Sequence, residues 1–293
     1  MFCHRLIPVF LFLSLILSIT GCQADPSPTI SPSLTPSLTI QNATATLAPS
    51  LTPASTNPPT ATSAPQTEPV TEICSPLAGI ELDKLHSITS QGFTPPAAFQ
   101  DDGHPAVDLA FFTFEDLPSM LGHPVQSILP GKVVLVIEDR FPYGSMILIE
   151  TPLDGLTETL LPLSFIPTPI PDENIVLFNP CAKEPLYAGL DAIEMSLENR
   201  SLYVLYSHLL EKPPFEPGDQ VSCGETIGAV GLTGNTVAEH LHLEIRIGPS
   251  DARFNTFAMY QPDATVEERH SYCTWSSSGR FQPIDPSLFW SQQ

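Results

Sequence analysis

Apolar and polar residues alternate, rather than recur at helical spacing, along the most informative part of the chain. In Glu239-His-Leu-His-Leu-Glu-Ile-Arg-Ile247 every second position is apolar, which is the pattern of a β-strand covered by core on one side. Successive side chains on a strand point to opposite faces. His240, His242 and Glu244 therefore share one face, and Leu241, Leu243 and Ile245 line the other. Gly131-Lys-Val-Val-Leu-Val-Ile-Glu138 and Gly144-Ser-Met-Ile-Leu-Ile-Glu150 are β-branched runs around a turn with Pro142, Tyr143 and Gly144, and they predict a hairpin. Leu202–Leu209 reads as a further strand. A turn-rich stretch, Glu216–Glu225, leads through Thr226–Gly231 into the His-x-His run. Many short strands with Gly/Pro punctuation and few helical patterns predict an all-β, antiparallel sandwich or barrel-like sheet.

The pattern fails at three places. Residues 1–21 hold a short start with His4 and Arg5, an apolar run from Leu6 to Ile19, and then Thr20-Gly21 before Cys22; the run is shorter than the ~18 residues a membrane-spanning helix needs and reads as an export signal. Residues 22–72 are dominated by Pro, Thr and Ser. A segment so poor in apolar side chains cannot offset its ordering entropy and is read as a disordered tether of roughly 40 Å mean reach. The folded domain is then expected over 73–293, with a Pro-containing, acidic insertion at about 152–199 that either walls a groove or decorates the surface.

The chain has 293 residues, 42% of them hydrophobic, enough for a substantial core. Its formal charge of −21 disfavours polyanionic partners such as nucleic acid. Beyond Cys3 and Cys22, four cysteines remain, Cys74, Cys181, Cys223 and Cys273. In an exported chain they are expected to form two disulfides, whose pairing the sequence leaves open. There is no Cys-x-x-Cys pair to suggest a thiolate metal site.

Three short patterns carry ligand chemistry. Gly103-His104-Pro-Ala-Val-Asp108 sets a histidine and an aspartate four apart, hence on one side of an extended segment. Tyr206-Ser-His208-Leu209 ends a strand, and His240-Leu-His242 begins one. Four histidines and one aspartate are donor types suited to zinc.

These patterns, in this order, resemble the lysostaphin-type, LytM-like zinc endopeptidases that cut the peptides of peptidoglycan. Gly122-His-Pro-Val-Gln-Ser-Ile-Leu-Pro-Gly-Lys-Val-Val and Pro217-Gly-Asp-Gln-Val…Gly224-Glu-Thr-Ile-Gly-Ala-Val-Gly-Leu-Thr-Gly234 resemble the family's flanking segments. The similarity covers roughly residues 100 to 250. It implies a duplicated hybrid motif fold, Zn²⁺ held by His104, Asp108 and His242, and proton handling by His208 and His240. Peptidoglycan peptides are the implied substrate, hydrolysed by metal-activated water. The alternative within the family is a non-catalytic module that binds the wall or activates a cell-wall amidase. Ile19-Thr-Gly-Cys22 is similar to the lipobox of bacterial lipoproteins, which implies lipidation of Cys22 and an extracytoplasmic, lipid-anchored location at the cell membrane. The chain departs from the family at Ala106, commonly glycine, and in the long segment before Leu202. Glu244 is read either as a partner of His242 or as a solvated carboxylate, and Tyr206 as a groove or core residue. His86, His123 and His270 are read as surface or hydrogen-bonded histidines.

Overall fold

The computed structural model describes residues 70–96, 100–112, 119–157, 160, 181 and 199–291. The signal segment, Cys22, nearly all of the tether and most of the insertion lie outside the described residues. The strands are β1 (Thr89–Gln91), β2 (Ala106–Leu109), β3 (Pro124–Gln126), β4 (Gly131–Arg140), β5 (Gly144–Pro152), β6 (Arg200–Leu209), β7 (Gln220–Val221), β8 (Thr226–Ala229), β9 (Leu241–Pro249) and β10 (Gln282–Ile284), with one α-helix, α1 (Val266–Ser276), between the last two. An eight-stranded sheet runs β1-β2-β9-β6-β5-β4-β7, and β10 adds to β9; β3 and β8 form a small separate sheet. The pairings are antiparallel. The expected all-β antiparallel class is therefore the observed one, and the β4–β5 hairpin forms where the pattern placed it.

Both faces of the large sheet are covered. On one, Val107, Leu109, Leu241, Leu243, Ile245 and Ile247 pack with Val125 and Ile227 of the small sheet and with Leu85 and Ile88 of a 3-10 segment, Leu82–Ile88. On the other, Leu135, Leu148, Tyr203 and Leu205 meet Phe257, Tyr272 and Trp275 from the C-terminal region. This two-sided cover explains why β6 is buried along its whole length and β9 up to Gly248. An antiparallel strand with one wet face would alternate in burial; here the polar positions are buried as well.

Helix α1 was not legible in the alternation, yet its start has a local signal. Thr265-Val-Glu-Glu268 forms a capping box: the Thr265 side chain accepts from the Glu268 amide, and the Glu268 side chain accepts from the Thr265 amide. Two orphan amides at the helix start are thereby satisfied. Glu268 also takes two hydrogen bonds from Arg140 Nη2, at 2.9 and 3.0 Å, which fastens the helix to the end of β4.

The four cysteines pair as Cys74–Cys223 and Cys181–Cys273. The first joins the N-terminal segment to the turn before β8, and the second ties Cys181 to α1. Removing a bridge enlarges the conformational freedom of the unfolded chain. A Cys74→Ser, Cys223→Ser double variant, whose bridge spans 149 residues, is expected to lose about 2–5 kcal/mol of stability, read as a lower urea midpoint with the β-sheet circular dichroism of the folded state retained.

Candidate metal centre

Strand register brings the ligand-type residues together. β2 pairs with β9 so that Asp108 lies opposite His242 and Ala106 opposite Glu244. β6 pairs with β9 so that Ser207 lies opposite His242. Directly opposed residues share a face, so Asp108, His242, Glu244 and Ser207 all point to the side covered by the C-terminal region. By alternation alone, His208 would point the other way. It does not, because β6 carries one more residue than β5 between the pairs Ile147↔Tyr206 and Ser145↔Leu209. This bulge has His208 at φ 59°, and bulges re-aim side chains in this manner. The ring of His208 then stands 4.8 Å from that of His240 and 5.6 Å from that of His242, centroid to centroid.

Three of the other predicted residues converge on the fourth, Asp108. Its Oδ1 lies 3.2 Å from His104 Nε2, 2.9 Å from His242 Nδ1 and 3.6 Å from His240 Nε2. All five residues fall into two overlapping sets that share His242, namely His104, Asp108, His242 and His208, His240, His242, and in each set the ligating atoms lie within 4.8 Å of one another. Tetrahedral zinc with bonds of ~2.0–2.1 Å separates its ligand atoms by about 3.3 Å. The 3.2 and 2.9 Å separations around Asp108 match that spacing, and two imidazoles with one carboxylate make a donor set of the catalytic type. The residues present thus fit zinc.

Backbone carbonyls orient the remaining ring nitrogens. His104 Nδ1 faces Gly92 O at 3.1 Å, His208 Nδ1 faces Thr233 O at 2.8 Å, and His240 Nδ1 faces Ala238 O at 2.9 Å. A carbonyl only accepts, so each of these nitrogens carries an N–H, and in neutral His208 and His240 this leaves Nε2 as the basic nitrogen. Thr233 is itself held: its hydroxyl donates to Leu209 O at 2.8 Å and accepts from the Ser145 amide at 2.9 Å. Gly144 must be glycine here, since its φ is 69° and a Cβ would run into the Thr233 backbone.

Burial and charge act against each other in this cluster. Burial raises the Asp108 pKa, but hydrogen bonds from His104 and His242 and the neighbouring imidazole charges outweigh it and hold the carboxyl well below its ordinary range. Burial lowers that of His242, yet its contacts with Asp108 and Glu244 prevail and raise it to about 9. For His208 burial leads, reinforced by the charges of His242 and His240, and its pKa drops to about 3. Glu244 is driven up by burial but brought down to about 2 by Arg246 and His242.

Among residues singled out in the sequence, Tyr206 belongs to the core: it is fully buried and its hydroxyl accepts from the Ile128 amide at 2.8 Å. His123 makes a structural contact, Nε2 facing Ala78 O at 2.9 Å. His86 is exposed on the 3-10 segment, and neither it nor His270 joins a metal-type group among the described residues. Glu244 is wholly buried, which excludes the solvated reading. Tyr143 and Arg246, which donate to Glu244, are absent from the sequence-based set. Arg246 continues the parity of His240, His242 and Glu244 and was available from alternation; Tyr143 lies in a turn and has no such signal.

Residues 187–254 match the sequence model of peptidase family M23, in line with the resemblance read from the motifs. That segment includes His208, His240 and His242, whereas His104 and Asp108 precede it. Among solved structures, the catalytic domain of the antimicrobial peptidase lysostaphin from Staphylococcus simulans aligns with 72% of this chain and 98% of its own at 19% identity and TM-score 0.35. The catalytic domain of a variant prophage-encoded M23 protein from Enterococcus faecalis aligns with 60% of this chain and 92% of its own, at 16% identity and TM-score 0.32. A zinc-containing peptidase from Vibrio cholerae aligns with 54% of this chain at 19% identity and TM-score 0.30, and the chain spans 32% of that protein's length.

Two outcomes test the geometry. In protein stripped of metal by a chelator, the stabilisation from His242, with a folded pKa of about 9 against 6.5 in the unfolded chain, is complete below about 6.5 and is lost as pH rises through about 9. That from His208, with a folded pKa of about 3, is complete above about 6.5 and is lost as pH falls through about 3. Thermal midpoints of the stripped protein should therefore peak near neutral pH and fall on both sides. Secondly, His208→Gly should be more stable than His208→Ala by about 1 kcal/mol, because only glycine occupies positive φ without strain; equal urea midpoints would contradict the bulge.

Proposed function

We propose that this chain is an exported zinc metalloendopeptidase of the M23 type that hydrolyses peptide bonds in bacterial peptidoglycan. The single observation that carries the proposal is the convergence of His104 Nε2, Asp108 Oδ1 and His242 Nδ1 at zinc-ligand spacing, with His208 and His240 beside them. In this reading His104, Asp108 and His242 hold Zn²⁺, while the basic Nε2 atoms of His208 and His240 face the reacting group. Bound zinc supplies Lewis acidity, lowering the pKa of a water to about 7 and polarising a carbonyl.

The protein's own residues then do the proton work. His208 is uncharged at neutral pH because burial holds its pKa down, and Thr233 O fixes the tautomer that leaves Nε2 free to accept a proton. His240 Nε2, 3.6 Å from Asp108 Oδ1, can donate to a developing oxyanion when the ring is protonated, and the proton that His208 accepts goes on to the leaving amine. Asp108 and Glu244, both held ionised, offset the positive charge of the centre. The negative net charge of the chain favours neutral or cationic peptide over polyanionic ligands.

The context supports action outside the cytoplasm. Two disulfides are expected of an oxidising compartment. No helix among the described residues is long and apolar enough to cross a membrane. A lipid on Cys22 and the Pro/Thr/Ser-rich stretch that follows would hold the domain at the membrane while letting it reach the wall.

Purified protein is expected to hold about one zinc per chain and to release muropeptides whose masses, read by mass spectrometry, identify the bond cut. His208→Ala and His240→Ala should retain zinc and each lose about 10²–10⁴-fold in kcat, and His242→Ala should lose the zinc itself. A wild-type protein that binds no zinc would refute the proposal.

A further inference from the structure

The third ligand of the proposed centre is supported from behind by a chain of buried contacts that ends in the C-terminal region. His242 directs Nδ1 at Asp108; its other nitrogen, Nε2, is buried and has no hydrogen-bond partner among the described residues. Facing that nitrogen, 3.8 Å away, is Glu244 Oε2. The carboxylate has no freedom to turn aside. Tyr143 Oη donates to the same Oε2 at 3.0 Å, and Arg246 Nε pairs with Oε1.

Arg246 is 2% exposed, and Glu244 accounts for only one end of its fork. Nη1 donates to the carbonyls of Trp275, Ser276 and Phe281 at 2.9, 3.2 and 3.0 Å, and the guanidinium lies 5.0 Å from the centre of the Trp275 ring. Two of those carbonyls belong to the last turn of α1, where a helix leaves its acceptors unpaired and favours a cation. The same helix is stapled through Cys273 to Cys181. The oxygen of Glu244 that Arg246 does not engage, Oε2, is held by Tyr143 and faces the unpaired Nε2 of His242.

We propose that Glu244 is the positioning residue for His242, and that Arg246 extends this support to α1, so that the C-terminal segment from Val266 to Phe281 is a working part of the metal centre. Metal-bound histidines generally donate their second ring N–H to a carboxylate or carbonyl, which fixes the ring and strengthens the ligand. Here a closure of less than 1 Å brings His242 Nε2 within ~3 Å of Glu244. The inference rests on the zinc peptidase reading above and adds to it residues beyond the segment that matches the family.

The test is zinc affinity, measured by competition with a chromophoric chelator on the whole protein, together with the visible absorption of the cobalt-substituted form and the thermal midpoint of the metal-free form. Glu244→Gln keeps the shape and removes the charge; it should bind zinc about 10- to 100-fold more weakly and alter the cobalt band. Tyr143→Phe, which leaves Glu244 in place but frees it to rotate, should weaken zinc several-fold while moving the metal-free midpoint little. Arg246→Lys keeps a cation but lacks the fork that reaches both carboxylate and carbonyls, and it should weaken zinc likewise. Variants that bind zinc as tightly as wild type, with only their metal-free midpoints lowered, would make the chain of contacts merely structural and overturn the inference alone. A wild-type protein that binds no zinc would overturn the underlying reading and this inference with it.

Discussion

The polar row on β9 is buried between two layers, and much of the structure follows from the need to satisfy it. His242, Glu244 and Arg246 are at most 9% exposed, in a region where an unpaired charge is far more expensive than at a surface. Each is answered by a different element. Asp108 comes from β2, Tyr143 from the turn between β4 and β5, and the carbonyls that receive Arg246 come from the end of α1 and the loop before β10. The same burial that makes these groups demanding strengthens their interaction, because little water is present to screen it. Stability and site geometry therefore have a common origin in one strand.

His208 shows how local strain serves this arrangement. A non-glycine residue at φ 59° is costly, although histidine tolerates the left-handed region better than most. It is held there from three sides: its amide donates to Tyr143 O, its carbonyl accepts from the Gly231 amide, and Nδ1 donates to Thr233 O. The bulge turns a residue that the strand would have sent into the opposite core toward Asp108 and His240. Strain at this position makes sense only where the side chain is needed on the other face.

Much of this was legible in the sequence, and the boundary is physical. The five site residues sit in three short motifs, and alternation placed His240, His242 and Glu244 on one face without any tertiary knowledge. The β4–β5 hairpin, β6 and β9 were likewise readable, because long strands repeat their pattern. β1, β7 and β10 span two or three residues each, too few to show a period. Helix α1 was not read from the sequence; its local mark is the capping box Thr265-x-x-Glu268. The aim of His208 could not be read, since a bulge exists only relative to the partner strand β5. The disulfide pairing was closed to sequence for a similar reason: Cys181 and Cys273 are joined across 92 residues by the fold, not by any spacing rule. Tyr143 was missed because a turn residue gains its role from what packs over it.

The placement of the ligands on paired strands has a consequence for precision. Asp108 and His242 are set by register, and that register is locked by Val107, Leu109, Leu241 and Leu243 on the opposite face, which fill the core against the small sheet. A slip of one residue would send that whole apolar set to the polar side and the ligands into the core, so the hydrophobic packing forbids it. The core thus sets the separation of Asp108 and His242 without touching either polar group. The segment from Leu232 to Glu239 exposes Leu232 and Val237 and contributes only carbonyls and a hydroxyl to hold His208 and His240, so its outer surface is open to change. Asp108 and His242 are thus fixed by strand register, whereas His104 and His240 lie just before β2 and β9 and are oriented by backbone carbonyls.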